Sequence, residues 1–410
     1  MLKNIFMLFI SQGVNYLVPL ILVPYLVRTL GAESYGEFNL ALSIILYGCL
    51  FIDFGFNLYT TGEISKTENK EKIRHLYTVT IASKFLIFFP VALIIIFTVN
   101  NVSQFDNIKS VCYILIIQML SSVISTVWLY QGLEKIRIYS LVNVVVKLLM
   151  LPMIFTLVRD INDINILATI QSVSFLLSAL LLITIAKRYD IYLVKINFSD
   201  IRSILSSASH IFTGTISVSL YTMSTPIILG LVNTAFEVGQ FSATDKIRGA
   251  FISIFLILSN VIYPRINKLK VDNEFLAFRF IKKITMIQFF LGLTFATAIY
   301  YSAPYIVINY LGSEFQESID LLRLMSPMVI LVPLSVILSN YVLLTWNYKK
   351  YYLCVPLITC IFHFSYIIPL SHYYGAIGSG IGILITEFIS FSLLLIFSLK
   401  SGMLRKIYES

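Results

Sequence analysis

The chain has 410 residues, of which 58% are hydrophobic and only 12% charged, with a net charge of +9 and a mean hydropathy of +0.86. A soluble domain carries about twice that share of charge, so an ordinary cytosolic enzyme is excluded. Apolar stretches of about 20 residues recur from end to end, long enough to cross the hydrocarbon core as helices and too unbroken for the alternating strands of a membrane barrel.

The predicted fold is therefore an all-α polytopic membrane protein with about twelve transmembrane helices. The spans fall at 7–28, 37–61, 76–99, 110–132, 138–158, 165–186, 205–231, 239–262, 284–304, 319–345, 352–370 and 375–398. The first is too long for a signal-peptide core and lacks a small-residue cleavage site after it, so it is expected to stay. It contains Pro19 and Pro24, and the seventh span contains Pro226. Each proline removes a backbone hydrogen bond and bends its helix, as a hinge or as a static kink that shapes a cavity.

Charges inside spans are costly facing lipid and usually face a protein or water-filled interior. In chain order they are Asp53, Lys84, Lys147, Asp245, Lys246, Arg248, Arg323 and Glu387. Asp245 and Arg248, at i and i+3, share a helix face and can pair, while Lys246 points elsewhere. Arg323 lies near a span end, within snorkelling reach of the headgroups. Lys84, Lys147 and Glu387 sit nearer mid-membrane, where snorkelling explains them poorly. In the last span, Gly378-Ser379-Gly380-Ile381-Gly382 lacks the strand-to-helix setting of a phosphate loop and reads as a close helix-packing face.

Cysteines 49, 112, 354 and 360 lie in apolar runs without metal-ligand spacing, and His210 and His363 are isolated. No metal or cofactor is expected, and no catalytic triad can be assembled. The cations are distributed unevenly. Segments such as Lys66 to Arg74 and Arg265 to Lys283 put 22 of them on the side of Lys3, against Arg28, Lys109 and Arg159 on the other. The positive-inside rule places both termini in the cytoplasm and removes any need for a nucleic-acid partner.

Two six-helix lobes, 1–190 and 191–410, are expected from an internal repeat. Tyr35-Gly36-Glu37-Phe38 aligns with Val238-Gly239-Gln240-Phe241, Pro24 falls near Pro226, and Gly62-Glu63-Ile64-Ser65-Lys66 aligns with Pro264-Arg265-Ile266-Asn267-Lys268. Halves that begin on the same side would be parallel repeats with the substrate route between them.

Pro24 to Phe38, PYLVRTLGAESYGEF, resembles the O-antigen and polysaccharide flippases of the multidrug/oligosaccharidyl-lipid/polysaccharide exporter superfamily. Asp53-Phe54-Gly55, Gly62-Glu63-Ile64-Ser65, Trp128 to Glu134 (WLYQGLE) and Ala243-Thr244-Asp245-Lys246-Ile247 are similar to that pattern too. One departure is Gly62, which stands where the family pattern has an arginine. The resemblance implies a two-lobed, non-enzymatic transporter in a bacterial inner membrane. It would move undecaprenyl-pyrophosphate-linked oligosaccharide from the cytoplasmic to the periplasmic leaflet, with membrane lipid and polysaccharide polymerase machinery as neighbours.

Cavity cations would meet the substrate phosphates, and Lys84, Lys147, Lys246 and Arg248 are the candidates. Asp53, Asp245 and Glu387 are candidates for proton coupling, with structural ion pairing as the alternative. The rival functions are a cation-coupled drug antiporter of the same superfamily and a membrane-embedded polysaccharide polymerase or transferase.

Overall fold

The computed structural model describes the backbone of residues 2–409 and the side chains of residues 13–212 and 216–409, which leaves the side chain of Lys3 outside the described residues. Among the described residues there is no strand. The helices are α1 Leu2–Asp53, α2 Phe56–Ile64, α3 Lys70–Asn101, α4 Lys109–Ile124, α5 Val127–Gly132, α6 Ile136–Leu157, α7 Ile164–Lys187 and α8 Phe198–Val232. They continue with α9 Ala235–Asp272, α10 Glu274–Ile306, α11 Ser318–Met325, α12 Met328–Val336, α13 Lys349–Lys400 and α14 Met403–Glu409.

Among the described residues nine helical runs are long and apolar enough to cross a membrane, and the two parts of α8 together make a tenth. The count of about twelve spans is consistent with this, because α1 and α13 each continue through a sharp turn. Gly31, at φ 73°, divides α1, and Gly375, at φ 55°, divides α13. Glycine tolerates both conformations because it has no Cβ to clash there. Each 52-residue helix is thus two consecutive spans.

Besides the seventh, with its two-part α8, three predicted spans are internally broken among the described residues. The second stops at Asp53 and restarts at Phe56, across Phe54 and Gly55, both at positive φ. The fourth breaks between α4 and α5, where Ser125 is extended. The tenth comprises α11, α12 and a π-helical segment, Ile337–Leu344. Hydropathy is blind to these breaks, because the windows that contain them remain apolar on average.

The chain divides into two compact units, Met1–Ile227 and Ile228–Ser410. In the first unit α1 packs against α3, α4 and α6, and α4 against α7. Its core at one end gathers Ile64, Tyr77, Trp128, Leu129 and Ala186. Two of the motifs singled out in the sequence meet there. Thr61 donates to the Trp128 carbonyl at 3.2 Å, and a Cβ at Gly132 would lie 2.7 Å from that of Ile64. At the same end Asp190 accepts from Lys70 Nζ at 2.7 Å, while the Asp190 carbonyl accepts from Arg74. The hydrogen bond and charge of Lys70 hold the Asp190 carboxyl below its ordinary value.

In the second unit α12 packs against α9, α10 and α13. The glycine run of α13 does pack closely. A Cβ at Gly378 would lie 1.9 Å from the Leu370 carbonyl oxygen, and one at Gly382 would lie 2.5 Å from Ile367 Cδ1, across the turn at Gly375. Glu237 holds that turn, since its carboxylate accepts from the Ala376 N–H at 2.5 Å at the start of the second half of the helix.

Two of the residues aligned in the sequence each hold a connection of their own unit. Glu37 of α1 is hydrogen-bonded to Asn107 in the α3–α4 connection. Gln240 of α9 donates to the Glu314 carbonyl at 2.7 Å, on the connection between α10 and α11, and accepts from Ser318, the first residue of α11.

Candidate functional site

In the first unit the candidate charges fall into two unlike groups. Asp53 ends the first part of the second span, where the exposed helix carbonyls disfavour a negative charge. A cation answers it: Lys84 Nζ of α3 lies 2.9 Å from Asp53 Oδ1, and the lysine side chain is only 2% exposed. Asn57, the second residue of α2, donates to Asp53 Oδ2 at 2.8 Å. The break beside them is held by close packing, because a Cβ at Gly55 would sit 3.0 Å from the Ala208 carbonyl oxygen and the Phe212 nitrogen of α8. The ring of Phe54 stacks on that of Phe212 at 4.6 Å.

Lys147 of α6 is different. Its Nζ donates to Asn15 Oδ1 of α1 at 2.7 Å, and Asn143, one turn earlier on α6, donates to the same oxygen at 2.9 Å. Two donors on one amide oxygen orient the Asn15 carboxamide and leave its own N–H groups directed elsewhere. A neutral amide positions the ammonium without cancelling its charge. Pro19 belongs to this group, since it has no N–H to return to the Asn15 carbonyl one turn back. Pro24 lies beyond it, beside Tyr25, whose hydroxyl donates to the Val158 carbonyl at 2.6 Å. Pro226 lies within α8.

In the second unit Arg248 Nη2 pairs with Asp245 Oδ1 at 2.5 Å on one face of α9, at the spacing expected for such a pair. Arg248 also contacts Met328 Sδ. Glu387 of α13, partly buried, lies within the electrostatic reach of both Arg248 and Asp245. Lys246 is partly buried one residue from Asp245. Arg323 reaches Asp320 at 3.3 Å and the Tyr300 ring.

His363, fully buried, hydrogen-bonds Thr386 at 2.8 Å, and Tyr366 bonds the same hydroxyl at 2.7 Å. Among the described residues no group of His, Cys, Asp or Glu is placed to hold a metal ion. Sequence reasoning named the charges but missed their amide partners Asn15, Asn57 and Asn143. The available signal was spacing: Asn57 lies four residues after Asp53, and Asn143 four before Lys147.

Residues 1–270 match the family described as polysaccharide biosynthesis protein. The chain belongs to that family. A relative in Escherichia coli named "Putative O-antigen transporter" is 30% identical over 397 residues, 96% of each chain. A relative of the same name in Shigella dysenteriae is 28% identical over 404 residues, 98% of this chain and all of that one.

Two solved structures share the fold of this polysaccharide biosynthesis family member. An inward-facing multidrug resistance MATE family transporter of the MOP superfamily aligns with a TM-score of 0.74 at 15% identity, covering 97% of this chain and 96% of that one. The lipid II flippase MurJ, in an inward closed conformation, aligns at 0.73 and 13% identity, covering 98% and 88%.

Proposed function

We propose that this protein flips a lipid-linked oligosaccharide across the membrane that its helices span, for O-antigen or related surface polysaccharide assembly. It is a transporter rather than an enzyme, as the names of its relatives support. The finer reading assigns it undecaprenyl-pyrophosphate-linked repeat units, moved from the cytoplasmic to the periplasmic leaflet of a bacterial inner membrane, with both termini cytoplasmic and polymerase machinery nearby. A pyrophosphate carrying sugars cannot cross hydrocarbon unaided, so some intramembrane cation has to receive it.

The observation that carries this reading is Lys147, an ammonium inside a span held by the neutral amide of Asn15. We assign it the first contact with the substrate phosphates, with Lys246 and Arg248 as further candidates in the second unit. Lys84 would take part only by exchanging Asp53 for phosphate. Coupling to a proton gradient is assigned to Asp245 and Glu387, which both lie near Arg248, and to Asp53 when Lys84 leaves it.

Proteoliposomes loaded with lipid-linked oligosaccharide test the reading. Sugars should become accessible to an impermeant glycosidase on the far side, faster with an inward-directed proton gradient on that side. Protein that exports dyes or drugs but never exposes the sugar would overturn it in favour of a drug antiporter. A periplasm-only reporter that is active after Ser410 would overturn the orientation.

A further inference from the structure

A second binding feature lies in the second unit, lined by none of the intramembrane charges described above. A cavity of about 610 Å³ opens between α10, α13, α14 and the π-helical segment Ile337–Leu344. Its walls are aliphatic and aromatic, including Met286, Leu334, Leu338, Phe391 and Leu399. A π-helical segment is rare and frequent at functional sites, and here one forms a wall.

The chemistry changes at one end. There Lys282 of α10 and Arg405 of α14 line the cavity, with Lys283 and Lys406 adjacent in sequence. This is the end of the unit where cationic connections gather. Lys270 donates to the Thr345 carbonyl at 2.8 Å, and Tyr348 to that of Ser401 at 3.1 Å. The rim cations have internal contacts that leave their charge in place. Lys282 Nζ donates to the Tyr408 carbonyl at 2.9 Å, a neutral acceptor. Arg405 pairs with Glu409 at 2.7 Å, but the arginine side chain is 84% exposed, and such a surface pair is weak enough to yield to a stronger anion.

We propose that this cavity binds an anionic phospholipid of the leaflet at the cation-rich end. One acyl chain lies along Met286, Leu338 and Leu399, and the phosphate meets Lys282 and Arg405. An apolar trough ending in two cations matches a molecule with an apolar chain ending in a phosphate. A neutral glycan lacks the first property and a zwitterionic lipid lacks the net charge. Because α14 supplies both a wall and a cation, the bound lipid would also fasten α14 against α10. The inference stands apart from the transport reading, since it uses none of the residues assigned to it.

The test uses the full chain purified in detergent and mixed with phosphatidylglycerol or phosphatidylcholine, with retained lipid counted by native mass spectrometry. Retention of phosphatidylglycerol should exceed that of phosphatidylcholine on the order of tenfold, as two interfacial cations imply. Lys282→Gln with Arg405→Gln should bring that ratio near one. Met286→Trp, at a half-exposed wall position, should reduce retention of both lipids. If the double variant fails to fold, Arg405→Gln alone, on an exposed side chain, should still lower the ratio severalfold. Equal retention of the two lipids by the unaltered protein, or no retention, would overturn the proposal. So would preferential displacement of phosphatidylglycerol by an isoprenyl phosphate, which would make the cavity a seat for the carrier lipid instead.

Discussion

Lys84 and Lys147 stand on two helices of the same unit, yet their surroundings differ in one decisive respect. Lys84 faces a carboxylate and Lys147 faces an amide. A paired charge has exchanged hydration for a partner, and removing either member strands the other. An ammonium positioned by amides keeps a net charge that an anion can still satisfy. The comparison teaches that an intramembrane cation is a ligand candidate according to its neighbour, not its depth.

The comparison breaks most visibly at Lys84. Lys84→Met should strand Asp53 and cost about 3–5 kcal/mol, read as a lower unfolding temperature and less protein in the membrane. Lys84→Met combined with Asp53→Asn should recover most of that loss. A single variant as stable as the parent would show that the pair does not hold the fold.

Lys147→Ala should do the reverse, leaving stability and membrane level close to normal. Its binding of lipid-linked oligosaccharide should fall tenfold to a hundredfold, about 1.5–3 kcal/mol for one charge-assisted contact. Lys147→Arg should restore part of it, because charge is kept while shape is not. Unchanged affinity in the Ala variant would remove Lys147 from the substrate site.

Gly55→Ala sharpens the comparison from the backbone side, since the break at Gly55 is what brings Asp53 to Lys84. With φ at 76° and carbonyl and amide atoms 3.0 Å from the new methyl, it should cost about 1–2 kcal/mol in chemical unfolding.

The smallest effect belongs to the exposed pair of Lys70 and Asp190. A carboxyl whose folded pKa is lowered adds stability above its ordinary pKa and loses it as pH falls through the lowered value. Lys70→Gln should therefore be slightly less stable than the parent at neutral pH and converge with it as pH falls through the lowered value, which flattens the acid-side loss. An identical acid profile in the two proteins would mean that the pair contributes nothing.

The all-α membrane fold was legible in the sequence because hydrocarbon imposes length and hydropathy on every span. Charges stood out for the same reason, and the i, i+3 pairing of Asp245 with Arg248 followed from helical spacing alone. Asp53 with Lys84 was not legible, being 31 residues apart and joined only by the packing of two helices. The same is true of Asn15 with Lys147, separated by 132 residues. Amides among apolar residues announce little until a partner appears. The helix break at Phe54 and Gly55 escaped too, because a reversal of φ leaves no trace in hydropathy.

The matched anchors Glu37 and Gln240 carry one further implication. Glu37 fastens the connection between α3 and α4 and Gln240 that between α10 and α11, but one uses an acid and the other an amide. An amide cannot gain a proton, whereas an acid can, so two halves built to one plan are not chemically interchangeable. Two units can thus keep matching joints while only one of them remains open to control by acidity.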